Sequence, residues 1–427
     1  MTERDPLVPR LTTAQAAARL GVKPATLYAY VARGMIVSRR SETGGSTFDA
    51  LDVEALARAN RRGPRSQAHA SGATGRPLAV VDSSLTLLNN DRLFFRGVDA
   101  VELSRHLSFE SAVEFLWNSG ERSTDFRADP DLTRDVLAAG ELLGAVSPPI
   151  DRFVLATTLA GSRDPFREEL SPSAAHAAGR TMIAAMVAAL PVLGSPADAH
   201  SPLAQRLWPA LSRVEPTAPE RELLDAALVL CLDHDLAAAT FAARVAASAR
   251  AHPYAAVGAA LGAFDSAVHG SMGIAAGDMI SAAMASGLPE RALAEQLGAG
   301  RTIPGFGHIV YRRRDPRAEE LFERMRAIPR FTEVLRTVDR LDAIVTSRSP
   351  RPANLDLALG ALAVGVDMPR GSAQVIFALG RTAGWIAHIV EEYAQPPLRL
   401  RPESRYTGPR AGVAHLPWRA GQVRLNP

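Results

Sequence analysis

The chain is short of several residues that catalysis often recruits. It has one cysteine, Cys231, so no disulfide can close within it, and a reducing cytoplasm is the expected compartment. It has one lysine, Lys23, near the N-terminal end. A Walker-type phosphate loop needs a lysine behind spaced glycines, and that spacing is absent. A Schiff-base or pyridoxal enzyme would have to use Lys23, so both classes are set aside. Aromatic residues are only 6% of the chain. No apolar run of about 20 residues is evident, so no membrane partner is expected. The longest candidate, 182–193, is too short and carries Pro191. The start, "MTERDPLVPR", has no signal-peptide core.

What remains is a globular composition. The 427 residues are 47% hydrophobic, enough for two or three domains and a large core. The abundant alanine favours close-packed helices. Net charge is only +3, and almost every cation is arginine.

Three segments follow one another. "LTTAQAAARLGVKPATLYAYVARGMI" reads as helix, turn, helix. Thr12 or Thr13 caps the first helix, Gly21 makes the turn, Pro24 opens the second helix and Gly34 ends it. Ala16, Leu20, Val22, Leu27 and Tyr30 fall on the inner face. With "DVEALARA", this segment resembles a MerR-type winged helix-turn-helix, set at residues 1–60, although "GGSTFDA" lacks the usual arginine and tyrosine of the wing. Residues 61–77, rich in Gly, Ser, Ala and Arg, read as a flexible basic linker. From 78 to 427, a short β-like entry, "LAVVDSSLTLLNNDRLFFRG", gives way to amphipathic helices up to about residue 400. Strands do not alternate with helices, so the fold class is mainly α and not a parallel sheet.

Some motifs imitate other chemistries. "GFGHIV" lacks the third glycine of a dinucleotide loop. "HGSMG" has His269 where a hydrolase elbow needs glycine. "HIVE" places His388 and Glu391 on one helical face without further metal ligands, so no metal is assigned.

"GFGHIVYRRRDPRA" (305–318) carries more. Gly305 and Gly307 let backbone approach a ligand closely. Asp315 and Pro316 open a helix whose first turn holds Arg317. A helix N-terminus with an arginine suits a carboxylate, so His308 and Arg317 suit a small anion with a polarisable oxygen. His234 lies at an expected helix start between Asp233 and Asp235, and Asp356 in "NLDLALG". His234 as a plain helix cap, and Arg381 as a structural ion pair, stay open. Cys231 and Trp385 read as packing residues, and Arg313 and Arg314 as solvated surface.

In chain order the blocks are HD, HG, GFGH…DPR, NxD, "ALGRTAGW" and "RPESRYTG". Over about residues 78–412 this set resembles the citrate synthase family. The resemblance implies large and small helical domains, the small one roughly 273–375. It implies that Asp356 removes a proton from an acyl-CoA methyl, that His269 meets the enolate oxygen and that His308 polarises the keto carbonyl of oxaloacetate. His234, Arg317 and Arg381 would hold its carboxylates, Arg401 would come from the partner of a homodimer, and Arg312 would meet CoA. Acyl-CoA and oxaloacetate are then substrates, and no cofactor is needed. "HGSMGI" and "DLALG" depart from the family's usual residues beside two catalytic positions, which bears on acyl-chain preference. The alternative function is a DNA-binding regulator that senses CoA esters or oxaloacetate, with Lys23, Thr26, Arg33, Arg39 and Arg40 toward DNA.

Overall fold

The computed structural model describes residues 10–40, 44–61, 80–120, 125–144, 147–299, 301–349 and 351–408. Most of the expected linker, 62–77, lies outside these residues.

Two short helices form where the N-terminal sequence places them. Thr12 caps helix Thr13–Leu20 in a capping box with Gln15, and Gly21 ends it in the left-handed conformation. Helix Pro24–Ala32 follows, with proline in its first turn. Leu27 is fully buried between the helices, whereas Val22 and Tyr30 are only partly covered. A small antiparallel sheet, in which strand Ser46–Asp49 lies between Arg10–Thr12 and Ser38–Arg40, leads into helix Ala50–Arg61.

The rest is overwhelmingly helical, entered through the hairpin Thr86–Asn89 and Arg92–Phe95. Its axis is the helix Ser372–Tyr393, where 19 of the 22 residues are buried. It passes the length and composition test for a membrane span, contrary to the expectation of no such run. However, 94% of its apolar window is covered by protein. The reason is that a central helix surrounded by others must be apolar on every side. Helices Pro172–Ala188, Ala218–Leu230, Ala238–Ser248 and Pro253–Phe264 surround it.

Small residues set how closely these helices approach. A Cβ at Gly380 would stand 2.7 Å from the Leu228 carbonyl oxygen. One at Gly384 would collide with the Leu232 carbonyl oxygen and lie 2.9 Å from Asp233 Oδ1. The central helix is thereby pressed against the turn that precedes His234. A second group packs helix Met272–Ser286 against Leu355–Gly365, with Thr332–Thr346 and Pro289–Gly298 beside them.

His388 and Glu391 of "HIVE" turn inward to an arginine. Arg244 Nη1 donates to His388 Nδ1 (2.9 Å) and Glu391 Oε2 (2.8 Å), while its Nε donates to Glu392 (3.0 Å). Since Arg244 can only donate, His388 Nδ1 must accept, and Nε2–H points at Asp233 Oδ2, 3.2 Å away.

Gly384→Ala should destabilise the protein by about 1–3 kcal/mol, because backbone carbonyl cannot yield to the added methyl. Gly258→Ala, with nothing within 4 Å of its new Cβ, should instead stabilise by about 0.5–1 kcal/mol. Urea unfolding midpoints of the two variants check both signs.

Candidate active site

Most of the candidate residues lie on turns that the helices hold in place. The His234 turn, 231–237, lies between helices Ala218–Leu230 and Ala238–Ser248. The next helix begins at Ala238, so His234 is not at a helix start as expected and does not cap one. His269 occupies the turn between helices Pro253–Phe264 and Met272–Ser286. The following glycine is required there, because a Cβ at Gly270 would lie 2.5 Å from the Phe264 carbonyl oxygen.

The loop 305–315 is tied to the start of the Asp356 helix. Gly305 and Gly307 both have positive φ, and a side chain at Gly305 would strike Leu357. Asn354 N–H donates to the Gly305 carbonyl and its Nδ2 to the Gly307 carbonyl, both at 2.9 Å. Its Oδ1 accepts the N–H groups of Asp356 and Leu357. One amide side chain thus caps the helix of one candidate base and fixes the loop of another candidate residue.

His308 Nδ1 accepts from the N–H of Val310 (3.0 Å) and Tyr311 (3.4 Å). The proton of the neutral ring therefore sits on Nε2, which makes that nitrogen a donor. Burial, with Arg317 next, lowers the His308 pKa to about 4. The His234 ring is 4.9 Å from the His308 ring, and its Nε2 is 3.0 Å from the Tyr311 hydroxyl. Burial followed by Arg317 holds His234 well below its ordinary value.

Two guanidiniums complete the cluster. Arg317 lies 5.3 Å from the Tyr311 ring centre, its Nε and Nη2 bonded to Asp315 at 3.0 and 2.8 Å. Nη1 is not engaged by Asp315. Arg381 donates from Nε to the Cys231 carbonyl and stacks 4.9 Å from the centre of Phe377, while its enclosed Nη2 has no partner. It is therefore not a structural ion pair. Phe377 also meets His269 at 6.2 Å, and the His269 Nε2 is likewise enclosed and unpartnered. Burial, then Arg381, takes His269 down to about 4.

Asp356 closes the group. Its Oδ1 is sealed and unpartnered, 3.8 Å from where a Cβ at Gly273 would stand. Burial raises its pKa from 3.8 to about 7; Arg317 and Arg381 oppose that rise and Asp315 adds to it. Three of the nine buried side-chain polar atoms without a hydrogen-bond partner among the described residues, on Asp356, His269 and Arg381, belong to this group.

Two candidates stand apart. Arg401 lies on the exposed stretch 401–408 and joins none of these contacts within the chain. Arg312 has an exposed side chain, and only its backbone is anchored, 2.8 Å from Asp91. Arg313 and Arg314 are exposed as expected, and Cys231 and Trp385 are buried. Lys23, Thr26, Arg33, Arg39 and Arg40 are all exposed.

Our reading of the sequence gave Asn354 and Tyr311 no role, and Asp315 only that of a cap. Tyr311 had a signal, standing three residues after His308. The double duty of Asp315 had none, because its acceptor contact to Leu355 N–H spans 40 residues.

The family model for the citrate synthase C-terminal domain matches residues 74–403. Citrate synthase 2 of Bacillus subtilis is 27% identical over 353 residues, 78% of this chain and 94% of its own. The 2-methylcitrate synthase of Mycobacterium tuberculosis is 29% identical over 357 residues, 77% of this chain and 88% of its own. A solved citrate synthase from Thermoplasma acidophilum, in ternary complex with carboxymethyl coenzyme A and oxaloacetate, shares the fold. Its TM-score is 0.66 at 21% identity, covering 82% of this chain and 98% of that one.

The raised Asp356 pKa fixes a sign. The folded chain binds this proton more tightly than the unfolded one, so ionising Asp356 costs stability as pH rises from about 4 to about 7. Asp356→Asn should therefore melt higher than the parent at pH 8, with the gap closing below pH about 4. Thermal melts across that range check it, and an unchanged gap would contradict a buried, reluctant carboxylate.

Proposed function

Since the chain belongs to the citrate synthase family, we propose that its site joins a short acyl-CoA to oxaloacetate. Water then releases CoA and a citrate-like tricarboxylate. The supporting observation is the convergence of His234, His308, Arg317, Arg381 and Asp356, with His269 joined through Phe377.

Each role follows from the chemistry of its group. Ionised Asp356 takes a proton from the carbon next to the thioester carbonyl. A thioester is a weak carbon acid, so the enolate oxygen needs a donor as it forms, and this task falls to His269 Nε2, an enclosed atom without a partner. His308 Nε2–H polarises the keto carbonyl of oxaloacetate, whose carbon is attacked by the enolate. The new alkoxide takes a proton, and hydrolysis breaks the C–S bond. Arg381 Nη2 and Arg317 Nη1, with His234, hold carboxylates. Neutral imidazoles suit this task, since they donate hydrogen bonds without drawing the substrate into an ion pair at the reacting carbon. Acetyl-CoA is the default donor and propionyl-CoA the close alternative.

The same reading gives a large and a small domain, the latter near 273–375, closing on the substrates. It also gives a homodimer in which Arg401 crosses to the partner, which suits an exposed position. The cytoplasm remains the expected compartment, and no cofactor takes part.

A second reading concerns the N-terminal segment. We assign it a MerR-like shape, and its five exposed residues, Lys23, Thr26, Arg33, Arg39 and Arg40, are free to face DNA. The relatives named above are synthases, which favours catalysis over a regulator. Salt-dependent gel shift on genomic fragments tests DNA binding, and complexes insensitive to salt would contradict phosphate contacts.

Thiol release with oxaloacetate and either acetyl- or propionyl-CoA should occur in the parent chain. Asp356→Ala should lower kcat at least about 100-fold, the scale of a lost general base. In the parent, kcat/KM should fall as pH drops below about 7, where Asp356 takes up its proton. Absence of thiol release with both donors, in a folded protein, would remove the enzyme reading.

A further inference from the structure

We infer that the N-terminal segment steadies the His308 loop, with Glu54 and Arg351 as positioning residues of the condensing site. The inference rests on the function proposed above and concerns residues on both sides of the boundary of the family match, which begins at 74.

Helix Ala50–Arg61 packs against helix Pro289–Gly298. Leu51 and Ala55 line one crevice together with Ile303 and Val345. Glu54 stands at its edge. Its Oε2 is 2.7 Å from Arg19 and its Oε1 accepts from Arg351 Nη2 at 3.5 Å. Arg19 also donates to the Arg301 carbonyl at 3.2 Å. The Glu54, Arg351 and Arg19 side chains are only 8%, 14% and 16% exposed, so this is not an ion pair open to full solvent screening.

The consequence lies at the other end of Arg351. Its aliphatic stem covers Gly307: a Cβ there would meet Arg351 Cδ at 3.2 Å and Cγ at 3.3 Å. Gly307, at φ +83°, donates its N–H to the Pro352 carbonyl at 2.8 Å. Its own carbonyl accepts from Asn354. The next residue is His308, whose Nε2–H must point at a substrate carbonyl. Without Glu54 to orient it, Arg351 can leave Gly307, and a glycine released at this point has more backbone freedom than any other residue. The N-terminal segment therefore acts on catalysis through an ion pair, a stem and one backbone unit, and not by touching substrate.

The experiment uses the full chain as parent, Glu54→Gln, Arg351→Met, the double variant and Arg351→Lys. Amide hydrogen exchange of the ligand-free proteins is followed over residues 303–311. Exchange there should quicken in Glu54→Gln and Arg351→Met while the melting midpoint barely moves, and Arg351→Lys should recover protection. In thiol-release assays the two single variants should each lose about 10-fold in kcat, the scale of a slightly misplaced catalytic group, with a smaller change in the acyl-CoA KM. The double variant should be no worse than either single one, because both break the same strut. Unchanged exchange in Glu54→Gln would overturn the inference. So would additive losses, which would show that Glu54 and Arg351 act independently. If the parent releases no thiol, the enzyme reading fails, while the exchange comparison still decides whether the strut exists.

Discussion

The carboxylate of Asp315 joins three parts of the site at once. It caps helix Pro316–Arg326 through the N–H of Arg317, binds the Arg317 guanidinium through two oxygens, and accepts the N–H of Leu355. The side chain has no exposure to solvent. A buried carboxylate with so many donors offsets its own desolvation, whereas removal of any one donor would leave it uncompensated. Its position fixes the distance between Arg317 and the helix that presents Asp356. It adds a third tie to the bonds by which Asn354 already joins the GFGH loop to the NxD turn.

Asp315 also explains the electrical balance of the site. It neutralises Arg317 in part and leaves Arg381 with an unmet Nη2. Burial pushes the three histidines downward and Asp356 upward, each toward its neutral form. The result is a buried cluster in which two arginines, Arg317 paired with Asp315 and Arg381 without an acidic partner for its Nη2, stand beside three imidazoles and the Asp356 carboxyl. A dicarboxylate entering it would supply the missing anion.

The buried polar row behind the site plays a supporting part. Arg244 fixes the tautomer of His388, whose Nε2–H reaches Asp233. Thr86, from the entry hairpin, adds a 2.5 Å bond to the same carboxylate oxygen. Asp233 immediately precedes His234, and the missing side chain of Gly384 leaves room for it. His388 and Glu391, which share the spacing of metal ligands, are thus partners of an arginine instead. Hydrogen-bond direction separates the two possibilities, and spacing alone does not.

Local rules carried much of this protein. Capping residues, prolines in first turns and glycine stops located the N-terminal helices, because these signals act within a few residues of chain. The blocks HD, GFGH…DPR, NxD and GRTAGW held residues that the fold brings together, His234, His308, Arg317, Asp356 and Arg381, whereas Arg312 and Arg401 stand apart from them. Contacts between blocks had no such signal. That Asn354 ties Gly305 and Gly307 to Asp356, that Asp315 reaches Leu355, and that Glu54 meets Arg351 are facts of packing across tens to hundreds of residues. The span-like Ser372–Tyr393 helix is of the same kind, because only its neighbours decide whether apolar surface meets lipid or protein. Residue chemistry and short-range backbone preference are written in the sequence. Which distant groups come within 3 Å, and so which protons are held or released, is decided only when the chain closes on itself.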